Sequence, residues 1–147
     1  MGYAIAQAAA EAGATVTLIS GPVCLAPPAV SQFIAVVGAE DMLRAVQAEI
    51  AQADIFISVA AVADYRAAQF SQQKIKKSAG KLLLELVPTV DILETVANLP
   101  KPPFCVGFAA ETENLEENAT IKRRKKNVPL VVANLAQDAI GSDGSEL

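Results

Sequence analysis

The chain has 147 residues, 52% hydrophobic and 19% charged, with a net charge of −4. That length bounds it to one domain with a core of its own, residues 1–147 forming a single unit, and the hydrophobic fraction excludes intrinsic disorder. No apolar run reaches the roughly 18 residues of a membrane span, histidine is absent, and two cysteines, Cys24 and Cys105, make no disulfide framework.

Residues 1–12 are rich in alanine and read as a helix that Gly13 ends in the left-handed conformation. Residues 15–20 (TVTLIS) are a buried strand, stopped by Gly21-Pro22, and residues 32–37 (QFIAVV) are a second one. Gly38 caps a helix to about Gln52, with Glu40 and Asp41 in its first turn and Met42, Leu43, Val46 and Ile50 on one face. Residues 54–60 (DIFISVA) are apolar on both faces, which predicts a central strand of a parallel sheet. From 63 to 80 the pattern breaks into a polar loop or flap. Residues 82–87 (LLLELV) read as a strand. A short helix then runs from Asp91 to about Leu99, ended by Pro100, Pro102 and Pro103. Residues 104–108 are a strand, and 113–126 a helix that is acidic first and basic last, as its dipole prefers. Residues 130–134 are a final strand.

Strands that alternate with helices predict an α/β fold, three-layered and Rossmann-like, with a mostly parallel sheet. The chain opens inside a helix. In such folds a strand precedes the first helix and the turn between them cradles phosphate, so either the sheet is built differently or, as the fold class implies, the first strand is missing. No basic residue precedes Arg44, which leaves no charged start for a signal peptide; reduced cysteines and a cytoplasmic location are the expectation.

Without histidine, an imidazole-based triad and a Cys/His zinc site are excluded. Carboxylates, lysines, arginines, backbone amides and a carboxylate-bound hard cation remain. Of the twelve basic residues, four lie in 74–81 and five in 122–126. Two cationic patches on an acidic chain suit a small phosphorylated ligand, not a nucleic acid or a membrane.

Four stretches carry candidate chemistry. The first is Ala60-Ala61-Val62-Ala63-Asp64-Tyr65-Arg66, at the carboxyl end of a strand, where open α/β sheets bind ligands. Its alanines let a ring or phosphate approach the backbone. Asp64 either holds magnesium or a ligand amine, or is a solvated cap. The second, Lys74-Ile75-Lys76-Lys77, is a mobile phosphate clamp or a solvated charge run. The third, residues 107–112 (GFAAET), offers Phe108 as a pocket wall or a core side chain. The fourth, residues 122–126 (KRRKK), places Lys122 and Lys126 four apart on one helix face, as anion ligands or as a dipole-matched helix end. Cys24 and Cys105 read as small apolar fillers.

These stretches occur together, with MGYAIAQAA, TVTLISGPV and VVAN, in one order and spacing. In this the chain resembles the phosphopantothenate–cysteine ligase domain of bacterial coenzyme A biosynthesis, often the carboxyl-terminal half of a bifunctional synthase/decarboxylase, from Met1 to about Asn134. The resemblance implies CTP and magnesium as reactants. The carboxylate of 4′-phosphopantothenate attacks the α-phosphate and pyrophosphate leaves. The amine of L-cysteine then attacks the acyl-cytidylate and CMP leaves.

By the same resemblance, Ala60, Ala61, Val62 and Ala63 form the nucleotide-contacting turn, with Asp64 near the ribose or the metal. Lys74 acts on the phosphates, supported by Lys76 and Lys77. Asp91 and Ile92 lie beside the cytosine, Phe108 lines the nucleotide pocket, and Lys122 and Lys126 reach the triphosphate. The resemblance also implies a homodimer, and FMN only in a decarboxylase half for which this chain holds no residues. Where the family has Asn-Pro before Asp-Ile, this chain has Thr89-Val90; the family's A-N-D-V appears as Ala133-Asn134-Leu135-Ala136, and its later G-F segment is reduced to Gly141-Ser142. Met1-Gly2 match an internal Met-Gly, so truncation at both ends is expected. The rival expectations are an NAD(P)-binding Rossmann oxidoreductase, which needs G-x-G-x-x-G, and a non-catalytic nucleotide-binding remnant.

Overall fold

Alanine and other good helix formers carry α1 (Gly2–Glu11) in a computed structural model that describes residues 1–77 and 80–139. The helix ends as its sequence requires. Gly13 stands at φ +90° and donates to Ala10 O, while Ala14 donates to Ala9 O, a Schellman end that glycine adopts without strain. Next come β1 (Thr17–Ser20), β2 (Gln32–Ala35) and α2 (Ala39–Glu49), which passes into a 3₁₀ turn, Ile50–Gln52. Asp41 accepts the Gly38 N–H at 3.0 Å and closes the first turn of α2.

The chain continues with β3 (Ile55–Ser58), β4 (Tyr65–Ala67), β5 (Leu86–Pro88), α3 (Ile92–Ala97), β6 (Phe104–Glu111), α4 (Leu115–Lys125), β7 (Leu130–Leu135) and the short α5 (Ala136–Ala139). β1 pairs with β2 in parallel. β3, β6 and β7 form a parallel sheet in that order, with Ser58 opposite Gly107 and Phe108 opposite Val132. β4 and β5 pair antiparallel. Helices alternating with parallel strands make this a Rossmann-like α/β fold.

Both parallel sheets lean on one core. Val46 of α2, Leu93 and Val96 of α3, Cys105 of β6 and Val128 are its buried centre, and Ile19 of β1 and Phe56 of β3 pack against it. α3 approaches β6 so closely that a Cβ on Gly107 would lie 2.8 Å from Leu93 Cδ2. The first turn of α1 touches the carboxyl ends of both sheets. Tyr3 donates its hydroxyl to Ser20 Oγ at 3.1 Å, and Gly2 lies against Val59, just beyond β3. Among the described residues, β1 and β3 are not hydrogen-bonded to each other.

Four expectations are corrected. β6, not β3, is the strand bonded on both sides; β3 pairs only with β6 among the described residues, and Ile55 is 60% exposed. An apolar run marks a strand without naming its neighbours. The stretch 63–80 is not structureless throughout, because Tyr65–Ala67 find a partner in Leu86–Pro88. The strand expected over 82–87 starts only at Leu86; Leu83 is 90% exposed, since no described strand offers it a ladder. Cys105 is buried as a filler, but Cys24 is exposed, on a loop that Gly21-Pro22 and Pro27-Pro28 hold away from the core. Gly141-Ser142 lie outside the described residues.

Candidate functional site

The stretch leaving β3 bends at once. Val62 donates to Ala60 O at 3.1 Å, and its half-buried side chain packs on the core, while Ala60, Ala61, Ala63 and Asp64 are exposed. This turn is fastened from one side by Thr89. Its N–H donates to Asp64 O at 2.9 Å, and its hydroxyl donates to Ala63 O. From the other side Arg66 of β4 pairs with Glu40 at 2.9 Å, tying the root of the β4–β5 arm to the first turn of α2. Neither partner was visible in the sequence; Thr89 stood out there only as a departure from a family pattern.

Two residues after Thr89, Asp91 caps α3. Its Oδ1 accepts the Glu94 N–H at 2.8 Å, as an N-cap aspartate should. Its Oδ2 accepts from Lys126 Nζ at 2.6 Å, and Lys126 also reaches Glu94 Oε2 at 3.0 Å. Lys126 is delivered there by the end of α4, where Asn127 takes a left-handed turn at φ 54° and Val128 donates back to Arg123 O. Burial acts to raise the Asp91 pKa. The Lys126 hydrogen bond, the Glu94 N–H and the nearby charges of Lys126 and Lys122 outweigh it, so the carboxyl lies below its ordinary range. The same contact with Asp91 holds Lys126 above the usual lysine value, against burial and with help from Glu94.

One helical turn earlier, Lys122 Nζ donates to Phe108 O at 2.7 Å. Phe108 is half-buried on β6, one residue beyond Gly107, which faces the last residue of β3. Asp91, Phe108, Lys122 and Lys126 are thus brought into one neighbourhood, and Thr89 links the 60–64 turn to its edge. Ile92 is buried in the core, with its backbone at the start of α3. Lys74, Lys76 and Lys77 are not joined to this group. They lie exposed between β4 and β5, without an ion pair among the described residues.

Chemically, the group offers cations, backbone amides and one exposed carboxylate, Asp64, that has no ion pair among the described residues. No set of three or more carboxylate, cysteine or histidine side chains gathers to hold a metal among the described residues. Asp64 therefore fits a magnesium ion only as one ligand beside phosphate oxygens, the usual arrangement for that ion with nucleotides. Two shallow concavities, on the outer face of α4 around Thr120 and between α1 and Pro28, do not touch these residues.

Comparison with known proteins bears on the family and the fold. Residues 1–146 match the model of the DNA/pantothenate metabolism flavoprotein C-terminal domain. The chain is 50% identical over 138 residues to the coenzyme A biosynthesis bifunctional protein CoaBC of Escherichia coli K12, and 47% identical over 135 residues to that of Bacillus subtilis 168. Each match covers 91% of this chain, which spans about a third of those relatives, 34% and 33% of their lengths. Among solved structures, the C-terminal domain of a CoaBC protein superposes with a TM-score of 0.77 at 43% identity, over 90% of this chain and 62% of that one. The DNA/pantothenate metabolism flavoprotein of Streptococcus pneumoniae, at 21% identity and a TM-score of 0.79, covers 97% of this chain and 73% of its own and shares the fold. No helix among the described residues is long and apolar enough to cross a membrane. With residues 1–146 matched by the family model, the chain belongs to the family of the DNA/pantothenate metabolism flavoprotein C-terminal domain.

Proposed function

We propose that this chain is the ligase part of a coenzyme A biosynthesis protein and joins 4′-phosphopantothenate to L-cysteine at the expense of CTP. The observation that carries the reading is the grouping of Asp91, Phe108, Lys122 and Lys126, with the 60–64 turn linked to its edge by Thr89. These are the segments that the family resemblance assigns to the nucleotide.

The reaction asks for alignment and charge neutralisation more than for a proton relay, which suits a site without histidine. The substrate carboxylate attacks the α-phosphorus and displaces pyrophosphate. The cysteine amine then attacks the acyl carbon and displaces CMP. Lys122, whose ammonium is oriented by Phe108 O and has no carboxylate partner among the described residues, meets the triphosphate. Lys126 supports it from its carboxylate clamp. Lys74 closes from the β4–β5 segment onto the leaving pyrophosphate. Alanine side chains at 60, 61 and 63 leave the backbone open to the nucleotide, and Asp91 and Ile92 stand beside its base. Asp64 is the carboxylate that would hold magnesium, which offsets phosphate charge when bound. FMN belongs to a separate decarboxylase part. The exposed Phe70, Leu82, Leu83 and Leu84 support a homodimer, which sedimentation at micromolar concentration tests.

The deciding experiment is pyrophosphate release with CTP, 4′-phosphopantothenate and cysteine, alongside calorimetric titration of CTP and of NADPH. Pyrophosphate formed only with 4′-phosphopantothenate present, and lost in Lys74→Gln, is the expected result. CTP binding without pyrophosphate release favours a nucleotide-binding remnant. Preference for NADPH favours an oxidoreductase.

A further inference from the structure

Thr89 does something that no regular strand residue does: it holds two consecutive carbonyls of the same partner segment. The bonds Ala68 N–H to Glu85 O and Thr89 N–H to Asp64 O, each 2.9 Å, fix which β4–β5 pairs are hydrogen-bonded. Antiparallel pairs alternate, so Tyr65 opposite Pro88 falls in a non-bonded position. The missing N–H of Pro88 therefore costs nothing, and the inner end of the ladder rests on Thr89. Its hydroxyl then takes Ala63 O as well. In an extended strand, successive carbonyls point to opposite sides. Capturing both from one residue requires the bend that the backbone makes at Asp64.

The consequence is directional. All described peptide bonds are trans, so the Ala63 carbonyl and the Asp64 N–H point opposite ways in one plane. Pinning the carbonyl to Thr89 turns the Asp64 N–H away from the arm. No protein group among the described residues accepts that N–H. The same residue stands two positions before Asp91, so the turn and the α3 cap are set relative to each other through Thr89.

We propose that Thr89 is a positioning residue: its hydroxyl aims the Asp64 amide and holds the 60–64 turn in register with Asp91, so that the amide meets an acceptor oxygen of a nucleotide. The nucleotide rests on the function proposed above; the aiming of the turn does not.

The test uses this chain with Thr89→Val, which keeps the shape and removes the hydroxyl, and Thr89→Ser, which restores it. In nitrogen-15 amide spectra without ligand, Thr89→Val shifts the Ala63 and Asp64 signals and leaves the β3–β6–β7 signals in place, and Thr89→Ser stays close to wild type. In calorimetry, Thr89→Val binds CTP about tenfold more weakly, the factor expected for one ordinary hydrogen bond, and Thr89→Ser binds within about twofold of wild type on the same scale. Unmoved Ala63 and Asp64 signals in Thr89→Val overturn the proposal, as does equal loss of affinity in both variants, since Thr89→Ser keeps the hydroxyl. If Thr89→Val does not fold, the Thr89→Ser comparison decides, since loss of affinity there also overturns it. If wild type binds no CTP, the ligase reading fails while the amide signals still judge the aiming of the turn.

Discussion

Lys126 donates to Asp91 across 2.6 Å, so the carboxyl-terminal cap of α4 grips the amino-terminal cap of α3 over 35 positions of sequence. Glu94 adds a second acceptor at 3.0 Å. Replacing Lys126 with methionine keeps the apolar stem and removes the ammonium. The expected loss is about 1 kcal/mol near neutrality, since Asp91 is partly open to solvent and screening discounts the pair. The pH dependence has two ends. The Asp91 pKa is lowered, so its share is present above the ordinary carboxylate value of about 4 and is lost as pH falls through the folded value. The Lys126 pKa is raised, so its share is present below about 10.4 and is lost as pH rises through the folded value. Urea melts should show a constant gap between wild type and Lys126→Met from about pH 5 to 9 that closes beyond both ends. A gap undiminished at about pH 2 would remove Asp91 from the account.

Gly107 lets α3 sit on β6, with Leu93 occupying the place of its missing side chain. Gly107→Ala should cost about 1–3 kcal/mol through overpacking, and Leu93→Ala about 2–5 kcal/mol through a cavity. The new methyl partly fills the space that Leu93 vacates, so the double variant should lose less than the sum. Chemical denaturation of the three variants measures this coupling; strict additivity would mean that the two sites do not share the space.

Much of the fold was legible because its signals are local. Gly13 after an alanine-rich stretch, Gly38 before Glu40 and Asp41, and the acidic-to-basic order of 113–126 each act within one helical turn. β4 was missed because Tyr65–Ala67 carry no alternation of their own and become a strand only beside Leu86–Pro88. Leu82, Leu83 and Leu84 misled for the converse reason: their composition favours a strand that finds no partner among the described residues. At the site, single segments could be read but their pairing could not. Nothing around Lys126 announces Asp91 and Glu94, more than thirty residues upstream, and nothing around Ala63 announces Thr89. At the end of α4, Asn127 takes the left-handed turn that asparagine tolerates after a helix.

The two cysteines should separate by reactivity. Cys24 is exposed, whereas Cys105 is 1% exposed, donates to Pro103 O at 3.4 Å and has its thiol pushed up by burial. The thiolate is the reactive form, so one equivalent of a disulfide reagent should react promptly near pH 8 and the second only on unfolding. Two prompt equivalents in the folded chain would contradict the burial of β6. In Cys24→Ser the prompt phase should vanish.

Lys122 and Lys126 lie on one face of α4 but keep different company. Lys122 donates to the Phe108 carbonyl at 2.7 Å, a neutral acceptor that orients the ammonium without cancelling its charge. Lys126 meets two carboxylates, which largely spend its charge inside the protein. An approaching triphosphate therefore gains more from Lys122. Lys122→Met should weaken CTP binding by about tenfold, the scale of one charge-assisted contact, and flatten its dependence on salt. Lys126→Met should show the reverse balance, with the larger effect on unfolding and the smaller on binding. Calorimetric affinities at two salt concentrations, set beside urea midpoints, rank the two lysines on both scales. The opposite ranking would mean that the triphosphate draws Lys126 out of its clamp, and Asp91 would then have to find another partner when nucleotide binds.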